Sequence, residues 1–100
     1  MIKDFQFHPV KKASILFKPL DDGAVLFEPE TELVHTLNPS AAFIWVHCDG
    51  SFSVSDIIEL IKNNFKDFEL DPEKAVFDII NKFQSLDLLQ HHLQVKKIEQ

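Results

Sequence analysis

Apolar and polar positions change their period twice along this 100-residue chain. Residues 13–18, Ala-Ser-Ile-Leu-Phe-Lys, are rich in strand-forming types and predict a first strand. Asp21-Asp22-Gly23 then forms a turn in which glycine is free to take a positive φ. Residues 24–28 (Ala-Val-Leu-Phe-Glu) and 33–37 (Leu-Val-His-Thr-Leu) read as second and third strands, joined by Pro29-Glu30-Thr31-Glu32. Connections this short imply an antiparallel meander. Residues 1–12 show no period and are expected to be an N-terminal arm outside a single domain over 13–95.

From Asn38 onward the spacing is helical. Asn38 is a favoured N-cap and Pro39 suits the first helical position, so a helix is predicted over 39–48. It is apolar almost all round, which predicts a central, buried position, and Asp49-Gly50 ends it. Ser53 and Asp56 have capping-box spacing before a helix over 54–66, whose apolar face is Ile57, Ile58, Ile61 and Phe65. Asp71-Pro72 repeats the cap-then-proline device before a helix over 72–86, and residues 88–95 can add a short terminal strand or wing. Three strands followed by three helices predict an α+β domain with a winged helix-turn-helix-like arrangement.

The third helix carries more apolar surface than one seam requires. Val76, Ile79, Phe83 and Leu86 form one stripe, read here as the core seam. Phe77, Ile80, Asn81 and Gln84 form a second stripe beside it. Two readings stay open. The helix packs on two neighbours at once, or Phe77 and Ile80 line a groove with Asn81 and Gln84 as its polar rim. The third strand offers a related feature: no proline or lysine interrupts Leu33, Val34, His35, Thr36 and Leu37, so a free edge there can accept an added strand.

Composition narrows the function classes. The formal net charge of −6 disfavours nucleic acid, because the phosphate backbone supplies most non-specific affinity, and Lys11-Lys12 is too small a basic patch to offset it. Cys48 is the lone cysteine, which excludes an intramolecular disulfide and fits a reducing compartment. The first residues lack the apolar core of a signal peptide, and no stretch approaches the ~20 apolar residues that span a bilayer. The expectation is a cytoplasmic protein without a membrane partner.

Catalytic and metal motifs are missing. Gly23 and Gly50 are the only glycines, so no phosphate loop exists. His47 and Cys48 are adjacent on a helix and point in different directions, which makes them poor co-ligands. His8 and His35 lack partners at ligand spacing, and His91-His92 reads as a solvated tail. The acidic groups at Asp21-Asp22 and at Glu28, Glu30 and Glu32 flank turns, where solvated loops are commoner than catalytic pairs. The residues therefore favour a binding module over an enzyme, with no cofactor.

Several segments together resemble the coenzyme PQQ synthesis protein D family over about residues 23–89. They are Gly23-Ala24-Val25-Leu26, then Val34-His35-Thr36-Leu37-Asn38-Pro39-Ser40-Ala41-Ala42, Ile44-Trp45, Asp49-Gly50, Val54, Ile57-Ile58, Asp71-Pro72 and Leu86-Asp87-Leu88-Leu89. The resemblance implies a winged-helix-like fold and a peptide chaperone. Such proteins bind the leader segment of a ribosomally made precursor and deliver it to a modifying enzyme, typically a radical S-adenosylmethionine protein. The leader would pair as an extra strand along the third strand and lie against the third helix. By position, the implied contacts are Leu33, Val34, His35 and Thr36 on the strand, and Phe77, Ile80, Asn81 and Gln84 on the helix. Leu37, Asn38, Ala41, Ala42, Trp45, Asp49 and Gly50 would be structural. The chain departs from the family pattern at Asp87, where a glycine is expected.

Two other functions compete with a leader-peptide chaperone. One is a winged-helix DNA-binding or transcription-associated domain, suggested by the helix-turn-helix spacing over 53–86. The other is an interaction module that dimerises through the strand edge; the expected state is a monomer or weak dimer.

Overall fold

The computed structural model describes residues 4–65 and 71–90. The element order is β1 (Leu16–Leu20), β2 (Gly23–Glu28), β3 (Leu33–Leu37), α1 (Pro39–Val46), α2 (Val54–Asn64) and α3 (Pro72–Ser85). The strands form one antiparallel sheet in the order β1-β2-β3, so β3 is an edge. This is the expected α+β fold of three strands followed by three helices.

β1 begins at Leu16 rather than at residue 13, and it includes Pro19. Residues before it turn instead, with the Ile15 N–H donating to the Lys12 carbonyl at 3.2 Å. Proline is tolerated in β1 because an edge strand has a side without ladder bonds. The β1–β2 connection is the two-residue turn Asp21-Asp22, closed by the pair Leu20 and Gly23. Gly23 has φ 128°, and a Cβ there would lie 1.9 Å from the Leu37 carbonyl oxygen, so this position requires glycine.

Each helix starts on the cap read from the sequence. The Asn38 side chain accepts from the Ala41 N–H at 2.9 Å, with Pro39 behind it. Ser53 and Asp56 close a capping box at 3.0 and 3.1 Å. Asp71 accepts from the Glu73 and Lys74 N–H groups. α1 ends at Val46, and the Lys11 ammonium reaches the Trp45 and Val46 carbonyls there, where a cation is favoured. α2 ends at Asn64 with Phe65 as C-cap, two residues short of the expected end.

One hydrophobic cluster holds these elements together. Leu26 enters it from β2, Ile44 and Trp45 from α1, Val54, Ile57 and Ile61 from α2, and Val76, Ile80 and Phe83 from α3. Trp45 meets Phe83 edge-on at 5.2 Å between ring centroids. α1 is thus the central helix, packed on β2 and β3 and touching both other helices.

The N-terminal arm is stitched into this body. The Val54 and Ser55 N–H groups donate to the Phe7 and Phe5 carbonyls, and the Gly50 N–H donates to the Pro9 carbonyl. Val10 bridges to Asp49 and Lys11 to Leu89, which fixes the segment after α3 as well. Of the terminal strand expected over 88–95, Leu88 and Leu89 are buried in the core, while 91–95 lie outside the described residues. Asp87 has φ 63°, a left-handed conformation that suits the glycine expected there and that Asp tolerates better than most residues. Its carboxylate sits 3.0 Å from the Lys12 ammonium.

Candidate functional site

Among the described residues, β3 has no strand on its outer side. A two-residue hairpin closes on a hydrogen-bonded pair, here Leu20 and Gly23. Alternation from that pair gives the β2–β3 ladder to Ala24–Leu37 and Leu26–His35. The backbone N–H and C=O groups of Val34 and Thr36 therefore point out along the free edge. Direct cross-strand partners share a face, so His35 and Leu37 lie on the side of buried Leu26 and Ala24, toward the helices. Leu33 and Val34 are exposed at 53% and 58%.

A groove of about 370 Å³ runs between this edge and α3. His35, Thr36 and Leu37 form one wall, with Asn38 and Ala41 at the strand-to-helix corner. Ile79, Lys82 and Phe83 on one face of α3 form the other, continued by the C-cap residue Leu86, and Leu88 also lines the groove. The lining is apolar along the helix except for Lys82. On the strand, His35 Nε2 lies 2.6 Å from Glu28 Oε2, and both side chains are largely buried, at 17% and 14% exposed. The pair occupies each other's polar groups, so neither is an isolated charge facing the groove.

The four strand residues anticipated from the sequence lie on this edge. The four helix residues do not line the groove. Ile80 is 0% exposed and belongs to the core, because α3 turns that stripe toward α2 and α1. Phe77 stacks edge-on against Phe5 of the arm at 5.1 Å, away from β3. Asn81 and Gln84 border a separate shallow depression with Asp78 and Ser85. Of the residues read as core seam, Ile79 packs against the core and also lines the groove, whereas Leu86 is exposed and lines it.

Other candidate chemistry is accounted for locally. Cys48 is buried, its thiol donates to the Ile44 carbonyl at 3.2 Å, and burial pushes its pKa up to about 12. His47 Nδ1 sits 2.8 Å from the Phe43 carbonyl and His8 Nδ1 3.0 Å from that of Gly50. No group of three potential metal ligands occurs among the described residues; His91-His92 lie outside them. Among the described residues no helix is long and apolar enough to cross a membrane.

The model of the family described as coenzyme PQQ synthesis protein D (PqqD) matches residues 23–89. The chain belongs to the PqqD family. The matched segment runs from the turn glycine of the first hairpin to Leu89 in the core, so it contains both walls of the groove and excludes the arm. No curated protein matches the chain. Two solved structures share its fold. TbiB1 in complex with the TbiA(beta) leader peptide aligns with a TM-score of 0.68 and 17% identity, over 83% of this chain and 96% of that one. Lasso peptide synthetase B1 complexed with the leader peptide aligns with a TM-score of 0.70 and 16% identity, over 84% and 99%. At these identities the likeness to this PqqD-family chain is one of fold.

Proposed function

We propose that this chain binds the leader segment of a ribosomally made precursor peptide and presents it to a peptide-modifying enzyme, such as a radical S-adenosylmethionine protein. The observation that carries the reading is the unpaired β3 edge facing α3 across an apolar groove. An extended peptide would hydrogen-bond to Val34 and Thr36 and place alternate side chains between the strand and α3. Membership of the PqqD family supports this, as does the common fold of two proteins solved with leader peptides. The role is binding and not catalysis, in keeping with a groove whose one His–carboxylate pair is internally satisfied.

The proposed contacts keep Leu33, Val34, His35 and Thr36 on the strand. On the helix they become Ile79, Lys82, Phe83 and Leu86. Titration with leader peptides encoded beside the gene, followed by backbone amide NMR, tests the assignment. Shifts should concentrate at 33–38 and 79–86. Shifts confined to Phe77, Asn81 and Gln84 would return the site to the outer stripe, and no shifts with any candidate leader would end the reading.

A further inference from the structure

We infer that the groove selects leader segments in which an acidic residue stands two positions from a large apolar one, with Lys82 as the residue that reads the acid. The inference rests on the leader-binding reading and deepens it by naming the chemistry of the ligand.

Lys82 is the one charged side chain on the helix wall of the groove. The other helical lysines of the described residues are matched: Lys62 lies 3.5 Å from Glu59 and Lys74 2.9 Å from Asp78. Asp78 stands one turn before Lys82, but its carboxylate is engaged by Lys74. Lys82 has no ion pair among the described residues. Among the described residues that line the groove there is no carboxylate, and Glu28, which meets His35 beside it, is held in that pair. The unspent charge of the groove is therefore positive, in a protein whose formal net charge is −6. A local reversal of sign at a binding surface favours an anionic ligand group and disfavours a cationic one.

The spacing follows from strand geometry. In a peptide added to β3, alternate residues face α3, and side chains two positions apart are separated by ~7 Å. Ile79, Phe83, Leu86 and Leu88 give the groove an apolar stretch. Lys82 adjoins Phe83 on the helix, and its long side chain would reach a neighbouring inward position of the peptide. One inward residue would thus fill the apolar cleft, and the next would meet the ammonium.

The probe is a displayed library of random twelve-residue peptides, selected on the full chain and on Lys82→Glu. Lys82 is exposed, so the charge reversal should leave the circular dichroism spectrum and melting temperature unchanged; Lys82→Gln serves as a second variant. Peptides selected on the wild type should show Asp or Glu two positions from Leu, Ile, Phe or Trp. Those selected on Lys82→Glu should replace the acid with Lys or Arg. A synthetic wild-type binder should lose about tenfold in affinity on Lys82→Glu, less on Lys82→Gln, and regain it when its own acid is reversed. Peptides that perturb the amides of 34–36 yet show no acidic preference, or the same preference on both proteins, would overturn the inference and leave leader binding intact. Selection of no peptide that perturbs those amides would overturn the leader-binding reading and this inference together.

Discussion

Ile80 on α3 and Leu86 at its C-cap lie six residues apart and differ sharply in burial. Ile80 is sealed between α3 and the core, so Ile80→Ala should cost ~2–5 kcal/mol in chemical denaturation. Leu86 is exposed along the groove, so Leu86→Ala should change stability by less than ~1 kcal/mol while weakening a bound peptide severalfold. The reverse pattern would put the groove on the other side of the helix. Cys48 allows a sharper test. Burial raises its thiol pKa from 9.0 to about 12, so between those values the unfolded chain releases a proton that the folded chain keeps. Its contribution to stability is whole below pH 9 and falls as pH rises toward 12, by ~1.4 kcal/mol per pH unit. Urea unfolding at pH 8, 9 and 10 should show wild type losing more stability than Cys48→Ala over that range. Equal losses would mean the thiol is not protected.

At the scale of the element, β3 gives alternate residues to its ladder with β2 and to the proposed peptide edge. His35 uses its backbone in the ladder with Leu26, whereas Thr36 turns its N–H outward. Thr36→Pro should therefore keep the sheet, since an edge strand tolerates proline where no ladder bond is lost, and should weaken strand addition at least tenfold. His35→Pro should damage the fold itself. Calorimetry with a leader peptide and thermal melts of both variants distinguish the two effects. Equal affinity of Thr36→Pro and wild type would show that the peptide does not pair with β3. The same local logic explains what was legible beforehand. Asn38-Pro39, Ser53 with Asp56, and Asp71-Pro72 act within one turn of chain, so the three helix starts could be read directly. The rotation of α3 could not. Val76, Ile79, Phe83 and Leu86 on one stripe and Phe77 and Ile80 on the next are equally apolar, and the choice between them is made by packing against α2 and Trp45. Lys82 was missed for the same reason: its place beside β3 depends on that rotation. The strand half of the proposed site could be placed on an edge because a five-residue strand free of proline and lysine is a local property.

At the scale of the whole molecule, the arm before β1 joins parts of the chain that the sheet does not reach. Its backbone accepts from Gly50, Val54, Ser55 and Gln90 and donates to Cys48 and Leu88. It thereby ties the α1–α2 connection to the segment after α3. Pro9 is fully buried, Phe7 packs against the core and Phe5 against Phe77. No sequence period announces such a segment, because each of its bonds reaches a different element. The family match begins at Gly23, yet the arm closes one side of the core. Each of these backbone bonds contributes ~0.5–1.5 kcal/mol net, and the buried side chains add to that. Their sum is comparable to the ~5–15 kcal/mol that holds a domain of this size together. Deleting residues 1–12 should therefore lower the melting temperature by tens of degrees or leave the chain unfolded, with loss of near-ultraviolet signal from the region around Trp45. Replacing Pro9 and Phe7 by alanine keeps the backbone bonds and should produce a smaller, cooperative loss in one denaturation transition. A deletion that melts like the full chain would mean the arm merely lies on the surface, and that the residues from Ala13 onward fold without it.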